Sequence, residues 1–564
     1  MRIVIVGSVA AGTSVGAKAR RNTESAEIAV YDRDQDISYS GCGIPYFVGG
    51  EVETADELRP RDAAWFAKRY AMDIRTGHEV VTVDHSSMSL TVRDLADGIE
   101  TTDTYDVLVL ATGVTSVRPD VPGTDLPGVF TVRTIRDAEA VRRWVDERGP
   151  ARATVVGGGY IGLEMAEQLT GRGLTTTVVE AAAHAMPRMD ADMSARVDAE
   201  LVRSGVGLRL GTRLAAVEGT ATDGVTAAVL SSGERIPSDV VILAVGVRPN
   251  TELARQVGAR IGPTGAVAVD RRMHTSVQNV YAVGDVAESY SALTGQPLWV
   301  PLGSTANKMG RIAGHVITGG DLEHRGILGT AIVRVFDLAV GQTGLTEAQA
   351  RAAGRDVEVI HNIKPDRSPY LGGKELVIKA IADRSDGRLL GAQAVGPQGV
   401  DKRVDVLATA VTFGARAADL FHLDLAYAPP FATTKDPVHY TGMALDNAIT
   451  GLAPLITPAE LLARQAAGET WQIVDVRSPA DFAKGHVDGA VNIPLKELRS
   501  RVGELDPQAP TVSYCNKGVS GNAGQNILQN SGFARVYNLS GGNKNYQGFV
   551  AAGLAGESAA TPRA

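Results

Sequence analysis

Thr154-Val155-Val156-Gly157-Gly158-Gly159-Tyr160-Ile161-Gly162 decides how this chain folds. An apolar strand runs into a glycine turn that opens the helix-forming run Leu163-Glu164-Met165-Ala166-Glu167. The next strand, Thr176-Thr177-Val178-Val179, ends at Glu180, 18 residues after Gly162. Glycines let backbone approach a pyrophosphate, the helix N-terminus stabilises its charge, and the acid takes a ribose hydroxyl. Gly157, Gly159, Tyr160, Gly162, Glu164 and Glu180 are thus candidate dinucleotide ligands. An acid at position 180 favours a free 2′-hydroxyl, hence NADH over NADPH, while the nearby Arg188 keeps NADPH open.

A related unit lies 150 positions upstream. Strand Ile3 to Val6 meets the turn Gly7-Ser8-Val9-Ala10-Ala11-Gly12, and a helix rich in small residues runs on through Lys18-Ala19-Arg20-Arg21. Strand Ile28-Ala29-Val30-Tyr31 ends at Asp32, 20 residues after Gly12. Val9 replaces the middle glycine, so this turn by itself also reads as an ordinary strand–helix connection. Two such units imply two dinucleotides facing one another. Leu108-Val109-Leu110-Ala111-Thr112-Gly113, Leu243-Ala244-Val245-Gly246 and Thr275 through Val283-Gly284-Asp285 add strand ends in the same order. Taken together, these segments resemble the glutathione-reductase-like flavoprotein disulfide reductases. The resemblance implies FAD held by Gly7, Val9, Ala10, Gly12, Asp32, Ser38, Ala111, Thr112, Gly113, Gly246, Gly284, Asp285 and Ala306, with Asp285 on the ribityl chain.

Composition agrees with an enzyme of several domains. The 564 residues carry a net charge of −8 without a basic block, which argues against nucleic acid as the main partner. Apolar runs are strand-length, and Met1-Arg2-Ile3-Val4 reads as a strand rather than a signal peptide. Only two cysteines are present, in glycine-containing loops, which suits a reducing cytoplasm.

Those cysteines carry the chemistry, and each is expected in a loop that exposes its thiol. Cys42, in Ser38-Tyr39-Ser40-Gly41-Cys42-Gly43-Ile44-Pro45-Tyr46, has no second cysteine nearby, which excludes a dithiol centre. The segment resembles the single-cysteine branch of the reductases: coenzyme A-disulfide reductases, persulfide reductases, and NADH oxidases and peroxidases. A lone thiolate forms a mixed disulfide with a thiol substrate or a sulfenic acid with peroxide, and its pKa is expected to be lowered by the flavin and backbone donors. The oxidase and peroxidase relatives carry a histidine where this chain has Ala10. Tyr427-Ala428-Pro429-Pro430-Phe431 and Lys435-Asp436-Pro437 resemble the coenzyme A-disulfide and persulfide reductases. In those enzymes the tyrosine, here Tyr427, reaches the partner subunit's cysteine, with Tyr370 a second candidate. A homodimer is implied by the resemblance. Lys18 and Arg21 are candidates for the phosphates of coenzyme A, and a solvated helix face is the alternative.

After Gly451-Leu452-Ala453-Pro454 a new domain begins. Strand Trp471 to Arg477, then Asp481 to Pro494, then Thr511-Val512-Ser513-Tyr514-Cys515-Asn516-Lys517-Gly518-Val519-Ser520 resemble a rhodanese. The cysteine loop is close to the Cys-Arg-Lys-Gly-Val-Thr pattern of thiosulfate sulfurtransferases. Backbone N–H groups and the following helix are expected to stabilise a Cys515 thiolate or persulfide, with Lys517 the loop's cation.

The fold expected is α/β. Residues 1–112 and 245–324 form a split FAD domain and 113–244 an NAD(P)H domain, both Rossmann-like; 325–450 form an α+β dimerisation domain and 455–557 an α/β rhodanese domain. The tail after about Gly556 is expected to be disordered. The activity implied is NAD(P)H- and FAD-dependent reduction, through Cys42, of disulfides or persulfides of small thiols, above all coenzyme A, or of polysulfide. Cys515 would handle sulfane sulfur, and coenzyme A would be substrate or bound mixed disulfide. No metal site is expected. An NADH oxidase or peroxidase, and a redox- or sulfur-sensing module, are the alternatives.

Overall fold

The computed structural model describes residues 1–555, so the tail beyond that point lies outside the described residues. Two compact units are present: Met1–Ala181 with Val206–Ile327, and Ala182–Gly205 with Leu328 onward.

In the first unit, short runs of Val, Ile and Leu bounded by glycine become parallel strands covered on both faces. One sheet has the order Val280–Ala282, Val107–Leu110, Arg2–Val6, Glu27–Asp32, Asp73–Thr76, with every neighbour parallel. The other repeats the plan with Gly207–Arg209, Thr175–Val179, Arg152–Val156, Val240–Leu243 and Val129–Thr131. In both, the strand before the glycine turn is central. Val6 is in register with Tyr31 and Leu110, and Val156 with Val179 and Leu243. The chain therefore leaves the carboxyl end of a central strand where the strand order reverses, the place at which such sheets open a ligand crevice. Val114–Ser116 and Val247–Pro249 pair antiparallel where the chain passes from one sheet to the other and back.

The second unit contains two different sheets. Ala331–Val335, Leu338–Gly344, Leu389–Gly396, Glu375–Asp383 and Val357–Pro365 form an antiparallel sheet backed by helices Val400–Thr412 and Pro437–Ile449. Leu455–Ile456, Val536–Leu539, Thr511–Tyr514, Gln472–Asp475 and Val491–Asn492 form a parallel one. Helix Ala191–Arg203 belongs to this unit and brings a buried charge cluster with it. Lys379 Nζ lies 2.9 Å from Asp192, 3.0 Å from Glu347 and 3.2 Å from Asp190, while Nε2 of buried His361 is 2.5 Å from Asp192. Burial pushes the Asp192 carboxyl up, but Lys379 and then His361 hold it far below the usual range. Burial likewise opposes ionisation of Glu347, and Lys379 followed by Arg351 brings it down to about 2.

Removing the cation leaves three carboxylates without their buried partner. Lys379→Met is expected to cost about 3–5 kcal/mol in denaturant unfolding of this unit. The acid limb has a defined sign: Glu347 binds its proton less readily folded than unfolded, so stability is complete above about 4.5 and falls as pH drops towards about 2. Unfolding midpoints measured across that window check it.

Candidate functional site

The two glycine turns are built alike. Gly7 has φ +107° and Gly157 φ +112°, a region L side chains avoid. A Cβ at Gly7 would lie 2.2 Å from the Ala111 carbonyl oxygen, and one at Gly157 2.3 Å from that of Ala244. The last glycines close the fit, since a Cβ at Gly12 would lie 1.8 Å from Gly7 O and one at Gly162 1.9 Å from Gly157 O. Ala10 and Gly159 precede helices Ala11–Asn22 and Tyr160–Gly171, and no side chain caps either helix. Their first N–H groups are left for an anion. The strand-end acids reach back to the turns: Asp32 accepts from Ser8 N at 2.7 Å and Ser8 Oγ at 2.6 Å, and Glu180 from Gly158 N at 2.7 Å. Val9 is half-buried, its carbonyl accepting from Thr13 Oγ1 at 2.5 Å.

The remaining flavin candidates lie in the same unit. Ser38 adopts φ +48° and donates its N–H to Ser8 O at 3.1 Å. Thr112 Oγ1 donates to Asn250 O at 2.7 Å, Asn250 N donates to Gly113 O at 3.0 Å, and Ala111 N to Val6 O at 2.8 Å. Gly246 has φ +117°, and Gly284 has φ +74° with Ala306 beside it. Asp285 is half-buried, and no described residue donates to its carboxylate. Burial pushes that carboxyl up against the opposing charge of Arg133. Uncapped helix starts, turns that no side chain fits and an unpartnered acid form a donor and acceptor set suited to a dinucleotide with polyol hydroxyls.

Cys42 is exposed, in a turn of 3₁₀ helix, Gly41–Gly43, that runs into Ile44–Gly49. Partial burial, then Glu164, then Asp285 push its thiol up, and Arg133 opposes them. The polypeptide by itself thus works against the lowered pKa expected from the sequence. Two carboxylates face this sulfur, and Gly43 N–H bonds to Ser40 O at 3.1 Å rather than to the sulfur. Glu164 accepts from Tyr46 OH at 3.0 Å.

Both thiols are free, but Cys515 corrects the expectation of exposure: it is buried, at 8 % of its accessible surface. Its side chain packs among Val474, Val476 and Leu498, because the strand that delivers it is the middle one of the parallel sheet. Of the expected ring of donors, Gly518 N–H points at Sγ, at 3.3 Å. Helix Val519–Asn530 follows directly. Lys517 of the loop is gripped by Glu375 of the antiparallel sheet. Asp475 pairs with Arg477, and the His486 ring stacks on Phe482 at 3.9 Å, so both hold loops.

Tyr427 and Tyr370 are 49 % and 76 % exposed, and Phe431 of the Tyr427 segment is 72 % exposed, large apolar surface that the chain itself leaves open. Ser368 N donates to Pro429 O at 3.3 Å and brings the two segments together. Lys18 Nζ donates to Asn22 Oδ1 at 2.9 Å and Arg21 to Tyr70 OH at 2.6 Å. Burial pushes the Tyr70 phenol up, and Arg69 with Arg21 overcomes it and draws the phenol below its usual range, so this face is cationic. Among the described residues there is no cluster able to hold a metal and no helix long and apolar enough to cross a membrane.

Sequence reasoning missed Arg133, whose charge acts on Cys42, Lys364, whose charge is coupled to Cys515, and Glu375, which holds Lys517 of the cysteine loop. None belongs to a motif; each arrives through a tertiary contact.

Residues 1–310 match the family model described as pyridine nucleotide-disulphide oxidoreductase, 330–437 its dimerisation domain and 457–548 a rhodanese-like domain. A Pyrococcus furiosus protein named NAD(P)H sulfur oxidoreductase (CoA-dependent) is 37 % identical over 440 residues, 78 % of this chain and 97 % of that one. The crystal structure of reduced Bacillus anthracis CoADR-RHD superposes with TM-score 0.94 at 34 % identity, covering 98 % of both chains. A NAD-dependent persulfide reductase from A. fulgidus gives TM-score 0.89 at 34 % identity, covering 97 % of this chain and 100 % of that one.

The carboxylates around Cys42 make a measurable prediction. Glu164→Gln removes the stronger of the two repulsive charges and is expected to move the pH midpoint of Cys42 alkylation by iodoacetamide measurably down. An unmoved midpoint would mean that Glu164 does not act on the thiol.

Proposed function

This chain belongs to the pyridine nucleotide-disulphide oxidoreductase family, and on that premise we propose that it reduces coenzyme A disulfide or coenzyme A persulfide with NADH as the electron source. It is an FAD-dependent oxidoreductase of thiol and persulfide substrates with a sulfurtransferase-like domain. The observation that carries the substrate class is the exposed Cys42, the only sulfur nucleophile of its unit, set beside Asp285 and the dinucleotide turns.

FAD would be held at the turn from Gly7 to Gly12 by Asp32 and Asp285, and NADH at the turn from Gly157 to Gly162 by Glu180. When bound, FAD passes two electrons from the nicotinamide to sulfur. The Cys42 thiolate attacks one sulfur of the substrate disulfide; the new S–S bond forms as the old one breaks, and one thiolate leaves. Two electrons and a proton then release the second thiol and restore the Cys42 thiolate. For a persulfide the leaving group is hydrosulfide. Because partial burial, then Glu164 and Asp285, raise the thiol, a bound electron-poor ring is the natural source of the compensating pull. Tyr427 of the partner subunit is the proposed proton donor to the departing thiolate, with Tyr370 next to it. Their exposed patch fits a homodimer whose subunits complete one another's sites. Lys18 and Arg21 are assigned to the phosphates of coenzyme A. Cys515 carries sulfane sulfur, and the cytoplasm is the proposed location.

The NADH oxidase reading shares the same flavin and thiol. Ala10 at the first turn, in place of a histidine, favours the disulfide reading. The deciding experiment is anaerobic NADH oxidation with coenzyme A disulfide, coenzyme A persulfide and polysulfide. Fast turnover on the first or second, abolished in Cys42→Ser and lowered about a hundredfold in Tyr427→Phe, is expected. Inertness to all three, with NADH consumed only in air, would install the oxidase in its place.

A further inference from the structure

One wall of the Cys515 loop comes from outside its own sheet. Glu375, first residue of strand Glu375–Asp383, grips Lys517 and accepts from Lys544 Nζ at 2.6 Å. Helix Gly542–Ala551, which carries Lys544, braces the loop through its backbone: Asn543 N donates to Cys515 O at 2.8 Å and Lys544 N to Asn516 O at 3.1 Å. On the adjacent strand, Lys364 is in register with Leu376, the neighbour of Glu375. Its Nζ lies 3.8 Å from the centroid of the Tyr440 ring, and no described carboxylate meets it. Burial, then the charge of Lys517, hold the Lys364 ammonium below the usual lysine range; a Cys515 thiolate opposes them, and Lys435 adds to them. Lys517 and Lys544 thus share the Glu375 carboxylate, while Lys364 faces Lys517 and the Cys515 sulfur without a carboxylate of its own. A half-buried cation among like charges is costly until an anion joins it.

We propose that Lys364 of the antiparallel sheet and Lys517 of the cysteine loop form an anion subsite beside Cys515 that takes the oxyanion end of a thiosulfate-type sulfane donor. The proposal rests on Cys515 being the sulfur-carrying cysteine. The step balances without a further reactant: the thiolate attacks the sulfane sulfur, the Cys515–sulfur bond forms, and the bond to the SO₃ group breaks. The electron pair leaves with sulfite, and Cys515 is left as a persulfide anion. The charge that develops on sulfite lies next to the sulfur undergoing attack, where the lysines stand. An organic persulfide brings no oxyanion to that place, and coenzyme A keeps its phosphates a full pantetheine arm away. Lys364 is a specificity-determining residue supplied by a neighbouring domain.

Two readouts on the full-length holoenzyme test this. In thiosulfate sulfurtransferase assays, Lys364→Met is expected to raise KM for thiosulfate about tenfold, the effect of one lost charge-assisted contact. It should leave KM for glutathione persulfide within about twofold, and Lys364→Arg should restore the thiosulfate value. Independently of turnover, mass spectrometry follows alkylation of each cysteine by anionic iodoacetate and neutral iodoacetamide. The iodoacetate to iodoacetamide rate ratio at Cys515 should fall several-fold in Lys364→Met, with Cys42 as internal reference, and a loss of folding would move both reagents together. An unchanged ratio and an unchanged thiosulfate KM would overturn the proposal. A fallen ratio in an enzyme that never forms a Cys515 persulfide would overturn the sulfur-carrying reading, and the donor assignment with it, while leaving the anion subsite in place. Equal losses on thiosulfate and glutathione persulfide would overturn the oxyanion assignment.

Discussion

At two places in the first unit the backbone passes so close to its neighbour that a side chain has nowhere to go. The carbonyl oxygens of Ala111 and Ala244 occupy the space that a Cβ at Gly7 or Gly157 would need. This contact lets the central strand turn sharply away from its sheet and start a helix whose N–H groups point back over the strand ends. Everything chemical in the unit is arranged around that turn. Asp32 and Glu180 close it from the adjoining strand, and Asp285 comes to the same sheet's carboxyl edge on Val280–Ala282. A crevice made of backbone tolerates little substitution, which is why its grammar can be read without coordinates.

That readability has limits set by distance along the chain. Gly12 and Asp32, or Gly162 and Glu180, are linked by one strand–helix–strand unit, so their spacing is a local property. The cysteine loops were equally plain, because a thiol flanked by glycine is a local pattern. Lys379 and Asp192 are separated by 187 positions, and nothing near either announces the other. The same holds for Glu375, whose carboxylate meets Lys517, and for Arg133 beside Cys42. The burial of Cys515 was misread for a related reason: exposure depends on which strand of the sheet delivers the residue, and strand order is not written in the loop.

The two thiols live in opposite electrostatic surroundings. Cys42 is exposed and has Glu164 and Asp285 as neighbours, whereas Cys515 is buried, with Lys364 and Lys517 near it. Carboxylates beside an exposed sulfur disfavour a standing thiolate and leave its activation to whatever occupies the crevice. Lysines beside a buried one place positive charge where an incoming anion would meet the sulfur.

Sequence presents the C-terminal hundred or so residues as a cassette, bounded by Gly451 and Pro454, that might be lifted off and spliced elsewhere. The contacts within the second unit say otherwise. Ser540 Oγ accepts from the His361 backbone N–H at 2.7 Å, Asn545 accepts from Arg196 at 2.6 Å, and Glu375 holds lysines from both Cys515-loop and helix. Cutting the chain there would strip the backbone N–H of buried His361 of its acceptor and leave the Glu375 carboxylate without its two lysines. Within the second unit the junction is therefore a weld, and the antiparallel sheet and the C-terminal sheet behave as one body that would not come apart into two intact spare parts.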